Sequence, residues 1–395
     1  MIVMTNTLTP QYLRAQAAII LIASGSSAQE AETVAANLVM ANLCGHDSHG
    51  VGMLPRYVDA VLEGGLIPNA PAAVVLDIGT LLTVTGQRGY GQVVGKQAMQ
   101  LAIARAKTHG SCIMTLSNAH HLGRIGQFAE MAVAQGLVAL HFVNVISRPV
   151  VAPWGGTDGR FGTNPLCIGI PLNRPERSDG HAGEASSAPK LDERGSATPK
   201  AREGASLAEH FILDMATSAV AQGKMRVAYN QGKTVKPGLL IDEYGKPTTN
   251  PGVVVVPQSN ALMGALMTFG EHKGYGLAVA CELLGGALSG GGTWHQAATP
   301  ENTSQRAVSN SMLTVLIDPA KLGTQATFAE QAAQFIDWIK QSPPAEGVDA
   351  VQIAGDFERI TCRQREAAGI EIDAGTWAEI EQAAAKVGAR LVGPA

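Results

Sequence analysis

Residues 112–143 read CIMTLSNAHHLGRIGQFAEMAVAQGLVALHFV, and this stretch decides the fold class. Its first apolar run, residues 112–116, predicts a buried strand that ends at a corner with two histidines. Residues 128–135 show helical periodicity, and residues 137–143 form the next apolar run of strand length. This alternation of strand, corner, helix and strand favours an α/β fold built in layers.

On both sides of this stretch, the same patterns predict further elements. Residues 10–44 predict two helices, the first starting at Thr9 and Pro10 and the second at a capping box of Ser27 and Glu30. The other predicted elements are strands at residues 74–76, 81–84, 211–213 and 313–317, helices at 91–107, 327–340 and 375–387, a mostly helical stretch over 258–291 with a break near 270, and a loop at 351–356. Strands and helices are therefore expected to alternate along most of the chain.

The segment 173–208 differs in composition from the rest of the chain. It is rich in Arg, Glu, Ser, Gly, Ala and Pro and has almost no large apolar residue, which predicts a solvated loop or a disordered insertion. We expect residues 76–319 to form one lobe, which contains this insertion. Residues 1–75 and 320–395 are expected to form a second, mostly helical lobe.

Composition limits the classes of function to be considered. The 395 residues are 46% hydrophobic, enough for a large core, and the formal net charge of -4 gives no basic surface for nucleic acid. No apolar run reaches the roughly 20 residues that cross a bilayer. Residues 17–23 imitate the apolar core of a signal peptide, but the helix start before them favours a helix of the folded protein. Five scattered cysteines without a CxxC pair favour reduced thiols in the cytoplasm.

Two polar corners carry the candidate acid–base groups. The first reads GHDSHGV over residues 45–51, with glycines that disfavour a helix, and the second contains His121 at the end of the predicted strand. Either His49 or His121 alone would be explained by a cap or a hydrogen bond to a backbone carbonyl. Two such corners, with Asp47 and Ser48 beside His49, indicate one site for proton transfer assembled from distant segments. No HExxH or HxH pattern is present, so metal ligation is not expected.

Three further motifs contain groups that are suited to binding a ligand. Asp214 follows a predicted strand, where it can orient a histidine, bind a hydroxyl group or simply cap a helix. Residues 162–165 (GTNP) predict a turn with a free amide side chain, which can hold phosphate or carboxamide groups or be purely structural. His272 and Lys273 open an apolar helix, and a helix N-terminus with a cation is suited to anions. No GxGxxG sequence follows an early strand, so a Rossmann dinucleotide fold is not expected.

Taken together, these motifs resemble the malate/L-lactate dehydrogenase family that lacks a Rossmann domain. The matching pieces, in the family's order, are Asp47-Ser48-His49-Gly50-Val51 with Pro55 and Tyr57, then His121-Leu122-Gly123, Gly162-Thr163-Asn164-Pro165, Asp214-Met215-Ala216-Thr217-Ser218 and His272-Lys273-Gly274-Tyr275-Gly276. They cover nearly the whole chain. Within the family, residues 45–55 look most like the hydroxycarboxylate dehydrogenase branch.

The resemblance implies a fold and an activity. The fold would be a non-Rossmann α/β arrangement of a mixed sheet with surrounding helices, in which residues 76–319 bind NAD or NADP, and the protein would be a homodimer. The reaction would transfer a hydride between nicotinamide and C2 of a 2-hydroxy or 2-oxo acid, such as malate, lactate or a larger hydroxycarboxylate. Members of the family with other substrates leave open the reduction of a cyclic imino acid and the oxidation of ureidoglycolate or sulfolactate.

The resemblance also implies roles for individual residues. Catalysis would use His121 and His49, with Asp214 as the partner of a histidine, while Ser48 and Tyr57 would bind substrate oxygens. The cofactor would contact residues of three motifs, namely Gly162, Thr163, Asn164, Asp214, Met215, Ala216, Thr217, His272 and Lys273.

One position departs from the family pattern. Many relatives carry Arg where this chain has Met53, and that Arg is expected to meet the substrate carboxylate. Arg56 lies one helical turn further along and would replace it, unless the substrate differs. Two other classes stay open: a cofactor-free hydrolase built on Ser48, which lacks a GxSxG elbow, and a ligand-binding relative without turnover. The sequence does not decide which histidine carries the proton, nor between NAD and NADP.

Overall fold

A mixed sheet of seven strands is the centre of the fold. The computed structural model describes residues 5–172, 209–297 and 307–393. The strands are β1 (Thr5–Leu8), β2 (Ala73–Ile78), β3 (Leu81–Thr85), β4 (Ser111–Ala119), β5 (Val138–Ile146), β6 (Leu166–Ile170), β7 (Phe211–Met215), β8 (Leu240–Ile241), β9 (Pro247–Thr248), β10 (Ala265–Leu266), β11 (Ser309–Ile317) and β12 (Ile370–Asp373). The large sheet has the order β2-β3-β4-β11-β5-β6-β7.

Helices pack against this sheet and against one another. The α-helices are α1 (Pro10–Ala23), α2 (Ala28–Leu43), α3 (Leu54–Leu62), α4 (Gly91–His109), α5 (Gly126–Val133), α6 (Gln222–Asn230), α7 (His272–Cys281), α8 (Trp294–Ala297), α9 (Gln325–Lys340), α10 (Asp356–Ala368) and α11 (Ala374–Lys386). The α/β class with a mixed sheet and surrounding helices is therefore confirmed. Among the described residues, no helix is both long enough and apolar enough to span a bilayer.

One parallel pair of strands determines where the site forms. β3 and β4 run parallel, with Leu81 opposite Ile113 and Thr85 opposite Ser117, and α4 connects them. Every other pair in the large sheet is antiparallel. Because β3 and β4 end at the same edge of the sheet, the segments that follow them lie side by side.

Among the described residues, three large apolar clusters and a small fourth one around Ala265 form the core. The first includes residues from both ends of the chain, for example Leu38 of α2 and Ile380 of α11. The second lies between the large sheet and its helices and includes Phe128, and the third includes Leu266 of β10. The predicted lobe boundary after residue 75 falls inside β2, which pairs with β3. The division into 1–75 with 320–395 and 76–319 stays a prediction.

The first two helices start where their capping residues predict. The Thr9 hydroxyl accepts a hydrogen bond from the Tyr12 N–H (3.2 Å), and the Ser27 hydroxyl accepts one from the Glu30 N–H (3.3 Å). The second half of the capping box is absent, because the Glu30 carboxylate accepts from the Asn69 N–H instead (2.8 Å). The cap of α2 is thereby joined to the chain that leads into β2.

Several predicted elements are wrong or incomplete. Residues 258–269 are turns and the short strand β10, so helix begins only at His272. The glycines did not prevent a short 3₁₀ helix at Asp47–His49. Helix α10, whose sequence is mostly polar and charged, was not predicted, although the loop before it was. The insertion at residues 173–208 lies outside the described residues.

Candidate active site

The structure brings the two histidine corners together. His49 ends the 3₁₀ helix Asp47–His49, and His121 follows the last residue of β4 by two positions. Their rings stack, with centroids 5.5 Å apart and planes inclined by 13°. The two segments are 72 positions apart in sequence (121 minus 49) and become one site only through the fold.

The corner that carries His121 is held by its backbone. Asn118 has φ of 53°, a left-handed conformation that Asn tolerates better than most residues. Gly91, the first residue of α4, lies against the carbonyls of His120 and His121, and a Cβ there would come within 2.4 Å of both oxygens. The Leu122 N–H donates to Asn310 Oδ1 (2.9 Å). The backbone that carries His121 is therefore fixed from several sides.

Tyr57 links His121 to α4. Its hydroxyl lies 2.7 Å from His121 Nδ1 and accepts a hydrogen bond from Gln92 Nε2 (2.6 Å). Burial raises the pKa of Tyr57 well above its usual value, so the phenol stays protonated. Tyr57 therefore contacts the candidate proton carrier directly, and its assignment to substrate oxygens by the resemblance stays a prediction. Gln92 was not predicted from the sequence, where it is one polar residue among many at the start of a helix.

Both stacked imidazoles favour the neutral form. Burial, helped by His46, lowers the pKa of His49 to about 4, while the charge of Asp214 opposes the shift. Burial also lowers the pKa of His121, with further contributions from His49, His120 and Arg56. A neutral imidazole has one nitrogen free to accept a proton, as a general base requires.

Asp214 and Arg124 form a charged layer beside His49. Arg124 is buried and bonds to Glu130 through Nη2 and Oε2 (2.6 Å). The carboxylate of Asp214 accepts a hydrogen bond from the Gly126 N–H (2.7 Å), at the start of α5. Asp214 therefore acts on His49 through its charge. Arg124 was not selected as a site residue from the sequence, although its position three residues after His121 indicated that a cation lies near the site.

Arg56 lies close to the histidines. It is partly buried on α3. Its positive charge contributes to the lowered pKa values of His120 and His121, and it opposes the rise that burial causes in the pKa of Tyr57. Met53, at the position of the family's Arg, packs against the first apolar cluster. The role of Arg56 at the substrate carboxylate stays a prediction.

The predicted cofactor motif at residues 162–165 is joined to the end of β7. The hydroxyl of Thr217 donates to the carbonyls of Thr163 (3.1 Å) and Asn164 (2.9 Å). The Asn164 amide is not free: its Nδ2 donates to Glu282 Oε2 (2.8 Å), and its Oδ1 accepts from the Val145 N–H (3.0 Å). The expectation of a free amide side chain is wrong, because this amide holds β5 against the π-helix Glu282–Ala287.

The third predicted motif, His272 and Lys273, is also connected to Thr217. The Thr217 carbonyl accepts from the Phe269 N–H (3.2 Å), three residues before α7 starts. His272 and Lys273 are exposed in the first turn of α7, and no side chain caps that helix. The end of β7 therefore connects the histidine pair, through Asp214, with an uncapped helix N-terminus that carries a lysine.

Two other kinds of catalytic site can be compared with this arrangement: a Ser–His–Asp relay and a metal site. Ser48 Oγ lies 3.1 Å from His49 Nδ1, but Asp214 bonds to the Gly126 backbone, so a Ser–His–Asp relay is not assembled. Within residues 5–172, 209–297 and 307–393, no three His, Cys, Asp or Glu side chains are grouped to hold a metal ion.

Comparison with known proteins decides the family. Residues 8–178 and 197–381 match the malate/L-lactate dehydrogenase family. The chain belongs to this family. It is 43% identical over 364 residues to hydroxycarboxylate dehydrogenase B of Escherichia coli (strain K12), covering 92% of this chain and 90% of that protein. It is 39% identical to the L-lactate dehydrogenase of Cupriavidus necator, covering 92% and 93%.

A solved structure agrees with this assignment. The structure of a putative malate/lactate dehydrogenase from E. coli superimposes with a TM-score of 0.81 at 40% identity. The match covers 97% of this chain and 96% of that chain. The fold of this family member is thus shared over almost its full length.

Two fully buried histidines are expected to make the family member sensitive to acid. Burial lowers the pKa of both His120 and His141 to about 3. The unfolded chain takes up these protons below about pH 6.5 and the folded chain does not. Above about pH 6.5 each neutral histidine leaves the free energy of unfolding unaffected by pH. As the pH falls from there toward 3, each histidine lowers the free energy of unfolding by about 1.4 kcal/mol per pH unit.

We predict that His141→Gln makes the free energy of unfolding less dependent on pH between 4 and 6. The number of protons taken up on unfolding should fall by roughly one. Chemical denaturation at a series of pH values measures this slope. His109→Gln, which replaces an exposed histidine at the end of α4, is the matched control. An identical slope for His141→Gln and the wild type would contradict the assignment of a buried neutral imidazole.

Proposed function

We propose that this family member transfers a hydride between NAD or NADP and C2 of a 2-hydroxy or 2-oxo acid. The observation that carries the proposal is the stacked pair of imidazoles of His49 and His121, with the Tyr57 hydroxyl bonded to His121, in a chain of this family. The nicotinamide supplies the hydride acceptor or donor, which no side chain can replace. The protein has to bind both partners, orient them and move one proton.

The residues beyond β7 suit a dinucleotide. The uncapped start of α7 offers backbone N–H groups and Lys273 to phosphate, which a helix N-terminus binds well. Met215 and Ala216, which follow Asp214 in the chain, are partly exposed. Because the Asn164 amide is occupied, its segment would contribute backbone rather than side-chain contacts.

We assign the proton transfer to His121 Nε2. When Nδ1–H donates to the Tyr57 hydroxyl, Nε2 is the nitrogen that accepts the hydroxyl proton of a 2-hydroxy acid during oxidation. In reduction the same nitrogen returns a proton to the carbonyl oxygen. Gln92 fixes Tyr57, and Tyr57 thereby fixes the orientation of the ring. His49 stacks on the ring of His121, and the charge of Asp214 favours protonation of His49.

The carboxylate of the substrate is assigned to Arg56. A guanidinium binds a carboxylate through two parallel hydrogen bonds, and this one lies close enough to the imidazoles to shift their pKa values. Ser48, whose hydroxyl meets His49, is the second candidate for a substrate oxygen.

We also propose a homodimer in the cytoplasm. The edge strand β2 exposes Val75 (65%) and Ile78 (61%), an apolar edge that a second copy would cover. The cysteines are all buried free thiols, as in proteins of a reducing compartment.

A substrate screen tests the activity. Purified protein is mixed with NADH or NADPH and with pyruvate, phenylpyruvate, oxaloacetate, 2-oxoglutarate, sulfopyruvate or a cyclic imino acid, and the nicotinamide absorbance is followed. We expect oxidation of one cofactor with at least one 2-oxo acid. Turnover of the imino acid alone would favour the reductase alternative, and folded protein without any turnover would contradict the proposal.

A further inference from the structure

The first histidine corner is held by one face of α10. Five residues of this helix share that face, at spacings typical of a helical stripe: Phe357, Glu358, Thr361, Cys362 and Arg365. Gly45 lies so close to this face that a Cβ would come within 3.0 Å of the Phe357 ring and 3.2 Å of Thr361. The helix comes from near the end of the chain and was assigned no role from the sequence.

An ion pair and a histidine–carboxylate contact connect the helix to the corner. Arg365 binds Asp47 through both guanidinium nitrogens, with Nη1–Oδ1 at 2.7 Å and Nη2–Oδ2 at 3.0 Å. It also donates to the backbone carbonyl of Asn42. His46 Nε2 lies 3.0 Å from Glu358 Oε1. A bidentate contact sets direction as well as distance, so it can orient the segment that carries Asp47.

The Asn42 side chain makes hydrogen bonds to the chain on both sides of His49. Its Nδ2 donates to Asp47 Oδ1 (2.7 Å), and its Oδ1 accepts from the Val51 N–H (2.8 Å). The Asn42 side chain also fills the space beside Gly50, where a Cβ would come within 2.1 Å of Oδ1. Residues two positions before and two positions after His49 are therefore bonded to one buried amide.

We propose that Arg365 is a positioning residue for His49, acting through Asp47 and Asn42. It keeps the short 3₁₀ turn in the geometry in which His49 stacks on His121. The proposal deepens the proposed function, on which it rests for the role of the histidine pair. The ion pair is partly exposed, with 27% of the Arg365 and 52% of the Asp47 side chain accessible, and such pairs add little to stability. Its loss should therefore affect geometry more than folding.

Substitution of Arg365 tests the proposal, with Arg363 as the matched control because it is exposed on the same helix. We expect Arg365→Met to lower kcat by about tenfold or more, since small misplacement of a catalytic group is costly. The KM for nicotinamide should stay within about twofold, because α7 is untouched. Arg365→Lys should restore part of kcat, because lysine keeps the charge and loses the bidentate geometry.

Hydrogen exchange gives a second readout that needs no turnover. In Arg365→Met, amides of residues 45–53 should exchange faster than in the wild type, while those of Arg363→Met should not. Wild-type exchange in Arg365→Met, or an equal loss of kcat in Arg363→Met, would overturn the proposal. If the wild type shows no dehydrogenase activity, the proposed function fails, and the exchange result still decides whether Arg365 holds the corner.

Discussion

His121→Ala is expected to lower kcat by about 10²-fold or more, because general acid–base catalysis typically contributes 10² to 10⁴. The imidazole lies between Tyr57 and His49, and its Nδ1 is held at 2.7 Å by the Tyr57 hydroxyl, which leaves Nε2 for the substrate. Binding of nicotinamide should stay largely intact, because the segments assigned to it, at residues 162–164, 214–217 and 272–273, do not include His121. Steady-state rates and a cofactor titration measure the two effects separately.

The control for this substitution is His109→Ala, which removes an exposed histidine from α4. It should retain wild-type rates. Near wild-type turnover in His121→Ala would remove His121 from proton transfer and leave His49 as the candidate. Loss of both turnover and cofactor binding would indicate a structural role for the His121 corner instead.

Arg56→Met is expected to raise the KM for the 2-oxo acid by about 10²-fold, because a hydrogen-bonded charge pair of this kind is worth several kcal/mol when one partner is removed. The pH dependence should change as well. The charge of Arg56 lowers the pKa of His121, so its removal lets that pKa rise. Oxidation requires neutral His121. The rate of oxidation should therefore begin to fall at a higher pH in the variant than in the wild type.

Two further variants sharpen this prediction. Arg56→Lys should bind the acid better than Arg56→Met and worse than the wild type, because lysine lacks the planar fork. Met53→Arg should shift preference toward smaller or more acidic substrates, because it restores the family's cation. Unchanged KM values for Arg56→Met across several 2-oxo acids would mean that the carboxylate binds elsewhere.

Local patterns in the sequence predicted much of the fold. The apolar run at 112–116 and the alternation that follows it correspond to β4, α5 and β5, because these elements are specified by their own periodicity. Thr9 and Ser27 marked the starts of α1 and α2 through side chains that cap the backbone locally. The meeting of the two histidine corners was also expected, because both follow well-defined elements.

Contacts between distant segments could not be predicted in the same way. Arg365 and Asp47 are 318 positions apart, and the charged sequence of α10 has too few apolar residues to show its period. The Asn164 amide looked free because its partners, Val145 and Glu282, belong to other elements. Local sequence shows which polar groups are present, but only the fold shows which of them are already bonded.

The most direct test of the account is the fate of the hydride. Wild-type protein is incubated with a 2-oxo acid and NADH or NADPH that carries deuterium at both positions of the nicotinamide C4, and the product is analysed by mass spectrometry and NMR. We predict a 2-hydroxy acid with one deuterium at C2, in proportion to the cofactor oxidised. A product without deuterium at C2, or with hydrogen taken from solvent there, would contradict direct hydride transfer at this site.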